Sequence, residues 1–135
     1  MRAGGYQAVY YRAADGSQPV SEFIARLSTR RQVALRNQID RLNLLNAAQP
    51  HLPHPWSSQI DGELRELRCH FGSDHYRILY RRSENLFVLL HIFSKRTRAM
   101  PAQEKAIAKE RWSDFKRRME AEPRKPPRAA GQDAP

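Results

Sequence analysis

The segment that most constrains this chain is residues 63–98. It runs ELRELRCHF, GSD, HYRILYRR, SEN, LFVLLHIF, SKRTR, and reads as three consecutive strands ending in a basic turn. The turn registers the first two strands. With Phe71, Gly72, Ser73 and Asp74 as the loop and Gly72 free to take a positive φ, His70 faces His75, Cys69 faces Tyr76 and Arg68 faces Arg77. Side chains alternate between the faces of a sheet, so Leu67, Cys69, Tyr76, Ile78 and Tyr80 form a core side. The other side collects Glu66, Arg68, His70, His75 and Arg77, with Leu64 and Leu79 between them. Two arginines placed directly opposite each other repel, so this face needs an anionic counterpart.

The third strand, residues 86–93, is apolar on both faces, which suits a central strand. Ser83, Glu84 and Asn85 read as a three-residue hairpin loop with Asn85 in the left-handed position. That odd length pairs Arg82 with Leu86 and brings His91 opposite Arg77 on the same face. An even loop turns His91 toward the core instead; the odd loop is the favoured reading. Ser94, Lys95, Arg96, Thr97 and Arg98 then leave the sheet as a cationic exit beside the paired arginines.

The flanking segments supply layers for this sheet. Residues 6–12, rich in tyrosine and valine and closed by Asp15-Gly16, read as a first strand. Its tyrosines are read as sheet-packing residues rather than platforms for bases. Pro19 opens a short helix carrying Phe23, Ile24 and Leu27. Ser28 caps a second helix whose Leu35, Ile39, Leu42 and Leu45 make one buried stripe. Arg30, Arg31, Arg36 and Arg41 lie largely off that stripe, as a solvated face in the preferred reading and as an RNA or ribosome contact in the alternative. The two helices form a hairpin over one side of the sheet. Residues 47–62 hold Pro50, Pro53 and Pro55 and read as an extended loop, with His51 and His54 as ordinary loop histidines and Trp56 as its anchor. Pro101 marks a last helix, with Gln103 and Glu104 in its first turn and Ala108, Trp112, Phe115 and Met119 as its buried stripe.

A chain of 135 residues holds one domain with a real core and is too short for two. Residues 1–119 are read as that domain. Residues 120–135, rich in proline and poor in apolar residues, are read as a disordered tail. Lys and Arg number 24 against 14 acidic residues, a net charge of +10, which favours an anionic partner. Nucleic acid is the first candidate; an acidic protein or an anionic membrane surface also satisfies charge alone. The single cysteine, Cys69, excludes an intramolecular disulfide and a cysteine-based zinc cluster. No apolar run approaches the roughly 20 residues of a membrane span, and the N-terminus lacks a secretory core. The expected location is cytoplasmic, with no membrane contact, no metal and no cofactor.

Taken in order, ELRELR, YRILY and LLHIFSKRTRAMPAQE resemble the phage-derived, HigB-like branch of the RelE/ParE toxin superfamily. The resemblance runs through roughly residues 64–118 and more loosely through the N-terminal strand and helices. It implies an α+β, RelE-like fold: a small antiparallel or mixed sheet with an N-terminal helix hairpin on one face and a C-terminal helix. It also implies a type II toxin that cleaves messenger RNA, often on the ribosome, and that is silenced by a cognate antitoxin, usually a helix-turn-helix protein. Two positions depart from the pattern. Ile92 stands where glycine is usual, which puts the backbone approach to RNA in question, and Met100 stands where threonine is usual, which removes a side-chain cap from the last helix.

Such a toxin needs to orient RNA, remove a proton from the 2′-hydroxyl and stabilise the charge that develops at phosphorus. Arg68 and Arg77 are the expected phosphate forks. Lys95 is expected to steady the leaving group or act as a base, and His91 is the alternative acid or base unless it is a satisfied core histidine. Arg96, Arg98 and His75 are expected to hold RNA. The rivals are a ParE-like toxin that inhibits DNA gyrase without catalysis, against which the basic cluster counts, and a plain nucleic-acid-binding module.

Overall fold

The computed structural model describes residues 5–96, 98–121 and 128–131. Nine elements follow in chain order: β1 (Gln7–Tyr10), α1 (Pro19–Ala25), α2 (Thr29–Leu42), β2 (Ser57–Asp61), β3 (Leu64–Phe71), β4 (Asp74–Ser83), β5 (Leu86–Ser94), α3 (Ala102–Met119) and β6 (Arg128–Ala129). The strands make one mixed sheet in the order β2-β3-β4-β5-β1-β6. Among the described residues only the β1 and β5 pairing is parallel; the others are antiparallel. The architecture is the α+β, RelE-like arrangement that the resemblance implies.

The helices divide between the two faces. On one face α1 and α2 bury Val20, Ile24, Leu35, Ile39 and Leu42 against Leu67, Cys69, Ile78, Tyr80 and Leu89. The Ser28 side chain accepts a hydrogen bond from the Arg31 amide and caps α2, as its position before the apolar stripe implies. On the other face α3 brings Ala108 and Phe115 down onto Leu79, Val88, Leu90 and Val9. Tyr11 fastens this layer, donating from its hydroxyl to Asp114 Oδ2 at 2.6 Å, while Arg118 bonds both Asp114 and the Arg12 carbonyl. β5 lies between β4 and β1, with the α1–α2 layer on one face and α3 on the other, which is why its apolar residues do not alternate with polar ones.

The β3–β4 hairpin keeps the expected register: His70 opposite His75, Cys69 opposite Tyr76, Arg68 opposite Arg77, with Gly72 at φ 61. The β4–β5 hairpin differs. Ser83 pairs with Leu86, so the loop is Glu84 and Asn85 alone, and Glu84 rather than Asn85 carries the positive φ of 54. An unbroken even loop turns His91 into the helix-hairpin core. Instead the register shifts between Leu79 and Tyr80, so that Leu79 pairs with His91 and Tyr80 with Leu89. Leu90 is the extra residue. A bulge places two consecutive residues on one face, and Leu90 and His91 both meet α3.

Two further segments depart from expectation. Ser57–Asp61, inside the expected proline-rich loop, is the edge strand β2. Its sequence, SSQID, carries no apolar alternation, because an edge strand with one partner can be held by backbone bonds. Most of residues 120–135 lies outside the described residues, yet within that expected tail Arg128–Ala129 form β6 against β1. Ala130 is buried there, its amide donating to the Ala8 carbonyl and its carbonyl accepting from Asn43 Nδ2 at 3.1 Å. Gly131, at φ 111, lies so close to Asp40 and Asn43 that a Cβ has no room.

Candidate functional site

Three strands build the basic face. β3 and β4 oppose Arg68 to Arg77, and Glu66 sits two residues before Arg68 on the same side, beside Ser58 of β2. Glu66 Oε1 accepts from Arg68 Nε at 3.0 Å and from the Ser58 hydroxyl at 3.2 Å, and lies 3.5 Å from Arg77 Nε. The Glu66 side chain is only 2 % exposed. The anion that the opposed arginines require is therefore supplied by the sheet itself. Burial is the main influence drawing the Arg77 guanidinium below its ordinary value; Arg68 adds to that and Glu66 opposes it. An arginine starts so far above neutrality that the group stays charged.

Above this trio lies an open cleft of about 420 Å³ lined by Arg68, His75, Arg77, Lys95, Arg96 and Arg98. Local structure explains the convergence. As β5 runs out at Ser94, the Lys95 amide donates to the His75 carbonyl at 2.8 Å. That bond extends the β4–β5 ladder by one rung and keeps Lys95 alongside the start of β4. Six of the seven residues that the sequence reading places in the site thus share one cleft. His54 adds a contact from the proline-rich loop, its Nε2 lying 3.2 Å from Arg68 NH1. Trp56 anchors that loop as expected, its ring lying under the Arg41 guanidinium at 3.9 Å. Arg31, from the arginine-rich face of α2, is instead committed to Asp74 and stacks over Phe71.

The seventh residue, His91, is not among the lining residues. It faces Leu79, whereas Phe93 takes the place opposite Arg77. Its Nδ1 accepts from Arg111 NH1 at 3.1 Å, which leaves the ring proton on Nε2 to be donated to Glu104 Oε2, also at 3.1 Å. Arg111 NH1 donates at the same time to the carbonyl of Leu90, so one guanidinium holds both residues of the bulge. Burial pushes the His91 imidazole below its ordinary value, against the pull of Glu104. The geometry agrees, since a proton on Nδ1 meets a guanidinium.

That lowering has a signed consequence. A histidine whose folded value lies below its unfolded value contributes stability above about pH 6.5, and loses it as pH falls from there through the lowered folded value. The melting temperature is expected to drop between pH 7.5 and 5. In His91→Gln, whose amide can replace both hydrogen bonds but does not titrate, that drop is expected to be shallower. Parallel melting curves against pH for the two proteins rule out the reading.

Glu66 and His54 are the contributors the sequence reading did not place in the site. Glu66 was legible in part: positions 66 and 68 share a strand face, although nothing in the spacing says that its carboxylate points between two arginines. His54 left no local signal. Among the described residues, no group of three or more His, Cys, Asp or Glu side chains could hold a metal ion, and no helix is long and apolar enough to cross a membrane.

A family model described as "Phage derived protein Gp49-like (DUF891)" matches residues 22–113, more than half of the chain. The chain belongs to the phage-derived Gp49-like family. This is a toxin-like family of the RelE/HigB type, and it suggests a toxin–antitoxin context. The Gp49-like match begins inside α1 and ends inside α3, and so takes in every residue that lines the cleft; β1 and β6 lie outside it. No curated protein matches the chain.

Proposed function

We propose that this chain is the toxin of a type II toxin–antitoxin pair and that it cleaves messenger RNA, without a metal, at the cleft over Arg68 and Arg77. The observation that carries this reading is the convergence of Arg68, His75, Arg77, Lys95, Arg96 and Arg98 on one open cleft. In this mechanism the RNA supplies its own nucleophile, and the 2′-hydroxyl attacks the adjacent phosphorus. Arg68 and Arg77 fork onto the non-bridging oxygens and stabilise the charge that grows on them in the transition state. His75 takes the 2′ proton as the 2′ oxygen bonds to phosphorus, and Lys95 gives a proton to the 5′ oxygen as its bond to phosphorus breaks, leaving a 2′,3′-cyclic phosphate and a 5′-hydroxyl. Arg96 and Arg98 hold the flanking phosphates. His91, bound beneath α3, keeps the sheet and helix in place and takes no proton from the substrate.

Such a protein acts where messenger RNA is translated and is held inactive by a cognate antitoxin, of the helix-turn-helix kind in the branch it resembles. The test is induction without antitoxin, with the 5′ ends of messenger RNA mapped for the wild type and for the Arg68→Ala/Arg77→Ala double variant. New ends inside reading frames, absent in the variant, support the ribonuclease. Growth arrest with DNA-damage signalling and no new ends overturns it in favour of a gyrase inhibitor.

A further inference from the structure

The paired arginines are held by a residue that never reaches the cleft. Glu66 lies between β2 and β4 neighbours, opposite Ser58 on one side and Leu79 on the other. Among the described residues Oε1 accepts from Arg68 Nε and the Ser58 hydroxyl and forms a 3.5 Å ion pair with Arg77 Nε, which makes no hydrogen bond, while Oε2 is buried with no hydrogen-bond partner. A buried carboxylate oxygen without a partner is costly. A sheet seeking stability alone has cheaper solutions at this position, an apolar residue among them.

The contacts have a directional result. Both guanidinia have Nε beside Glu66, Arg68 by a hydrogen bond and Arg77 by the ion pair alone, so it is the NH1–NH2 edge that a phosphate would meet. Arg68 NH1 is steadied by His54 and Arg77 NH1 by the Tyr76 carbonyl. A phosphate between them meets two end-on forks that share one carboxylate behind them. The charge count matters as well: two guanidinia and one carboxylate sum to a single positive charge, which limits how tightly the ground-state RNA is held.

We infer that Glu66 is the positioning residue of this cleft, holding Arg68 by a hydrogen bond at Nε and Arg77 by the ion pair beside it, so that both forks fit the pentacoordinate phosphorus better than the substrate phosphate. The inference rests on the ribonuclease reading above. It makes a prediction that simple charge balance reverses. Removing the carboxylate adds net positive charge, so RNA binding holds or tightens, while the chemical step slows because the forks lose their alignment.

The experiment is steady-state cleavage of a short RNA by purified Glu66→Gln and Glu66→Asp, each checked for folding by circular dichroism. For Glu66→Gln the expected result is kcat lower by at least about tenfold with KM unchanged or lower. Glu66→Asp, which keeps the charge but shortens the reach, is expected to fall between that variant and the wild type. Wild-type kcat in folded Glu66→Gln overturns the inference and leaves the ribonuclease reading intact. If Glu66→Gln does not fold, Glu66→Asp decides by the same split. Loss of fold in both makes Glu66 a stability residue and also overturns it. A wild-type protein that cleaves no RNA, alone or on ribosomes, overturns the underlying reading instead.

Discussion

Alanine at position 77 is expected to lower RNA cleavage by about 10²–10³-fold, the usual loss when one preorganised transition-state donor is removed, and to abolish growth inhibition. Arg77 is the better target of the pair because its side chain is the more enclosed, 13 % exposed against 33 % for Arg68. A donor in a drier site acts through a lower effective dielectric and is worth more. The fold is expected to survive. Arg77 is held in β4 by its backbone, between β3 and β5, and Glu66 keeps Arg68 and Ser58 as partners after the substitution. Lysine at the same position restores the charge but not the planar fork, so Arg77→Lys is expected to stay at least about tenfold impaired. Single-turnover cleavage by purified protein, with growth curves beside it, checks both variants. A folded Arg77→Ala protein that is as toxic as the wild type is incompatible with the cleft being the active site.

The second large effect concerns salt. Arg68, Arg77, Lys95, Arg96 and Arg98 line the cleft and Glu66 cancels one of those charges, which leaves a net of four phosphate-neutralising contacts. With about 0.7 counterions released per contact on a single strand, affinity for RNA is expected to fall about 50-fold between 50 and 200 mM salt. Lys95→Ala is expected to flatten the log–log slope by about one contact's share while weakening binding alike for different sequences. Fluorescence anisotropy with a short labelled RNA measures this directly. Binding that ignores salt removes the backbone contacts on which the proposed mechanism depends.

Legibility in the sequence followed local constraint. The turn glycine Gly72 determined the β3–β4 register, and with it the opposition of Arg68 and Arg77, because only one loop placed both a flexible residue and an alternating pattern correctly. Ser28 and the stripe of Leu35, Ile39 and Leu42 were readable for the same reason: cap and period agreed. β5 offered no such check. Its residues are apolar on both faces, so sliding the strand by one costs nothing that the pattern records, and the bulge at Leu90 was invisible. His91 consequently reached the expected face by a different route, and there it met α3 rather than the cleft. β2 and β6 are edge strands held mainly by backbone pairing, which composition does not report. Ile92, one of the two departures, packs into the helix-hairpin core, on the face of the sheet opposite Arg77. The other departure, Met100, packs at the margin of the α3 layer. Pro101 begins α3 without a side-chain cap, as that departure implies.

The parallel pairing of β1 with β5 also dictates a timetable. Gln7 has its strand partner at Leu86, and Val9 its second partner at Ala129. β1, made before the other described strands, therefore lacks its strand partners until most of the chain has followed, whereas β3, β4 and β5 can zip as neighbouring hairpins. Pairings of such long sequence separation are slow to close. The meander carrying the arginines is thus expected to assemble before the strand that completes its sheet, and the nascent chain to expose the unpaired edge of β5 throughout that interval.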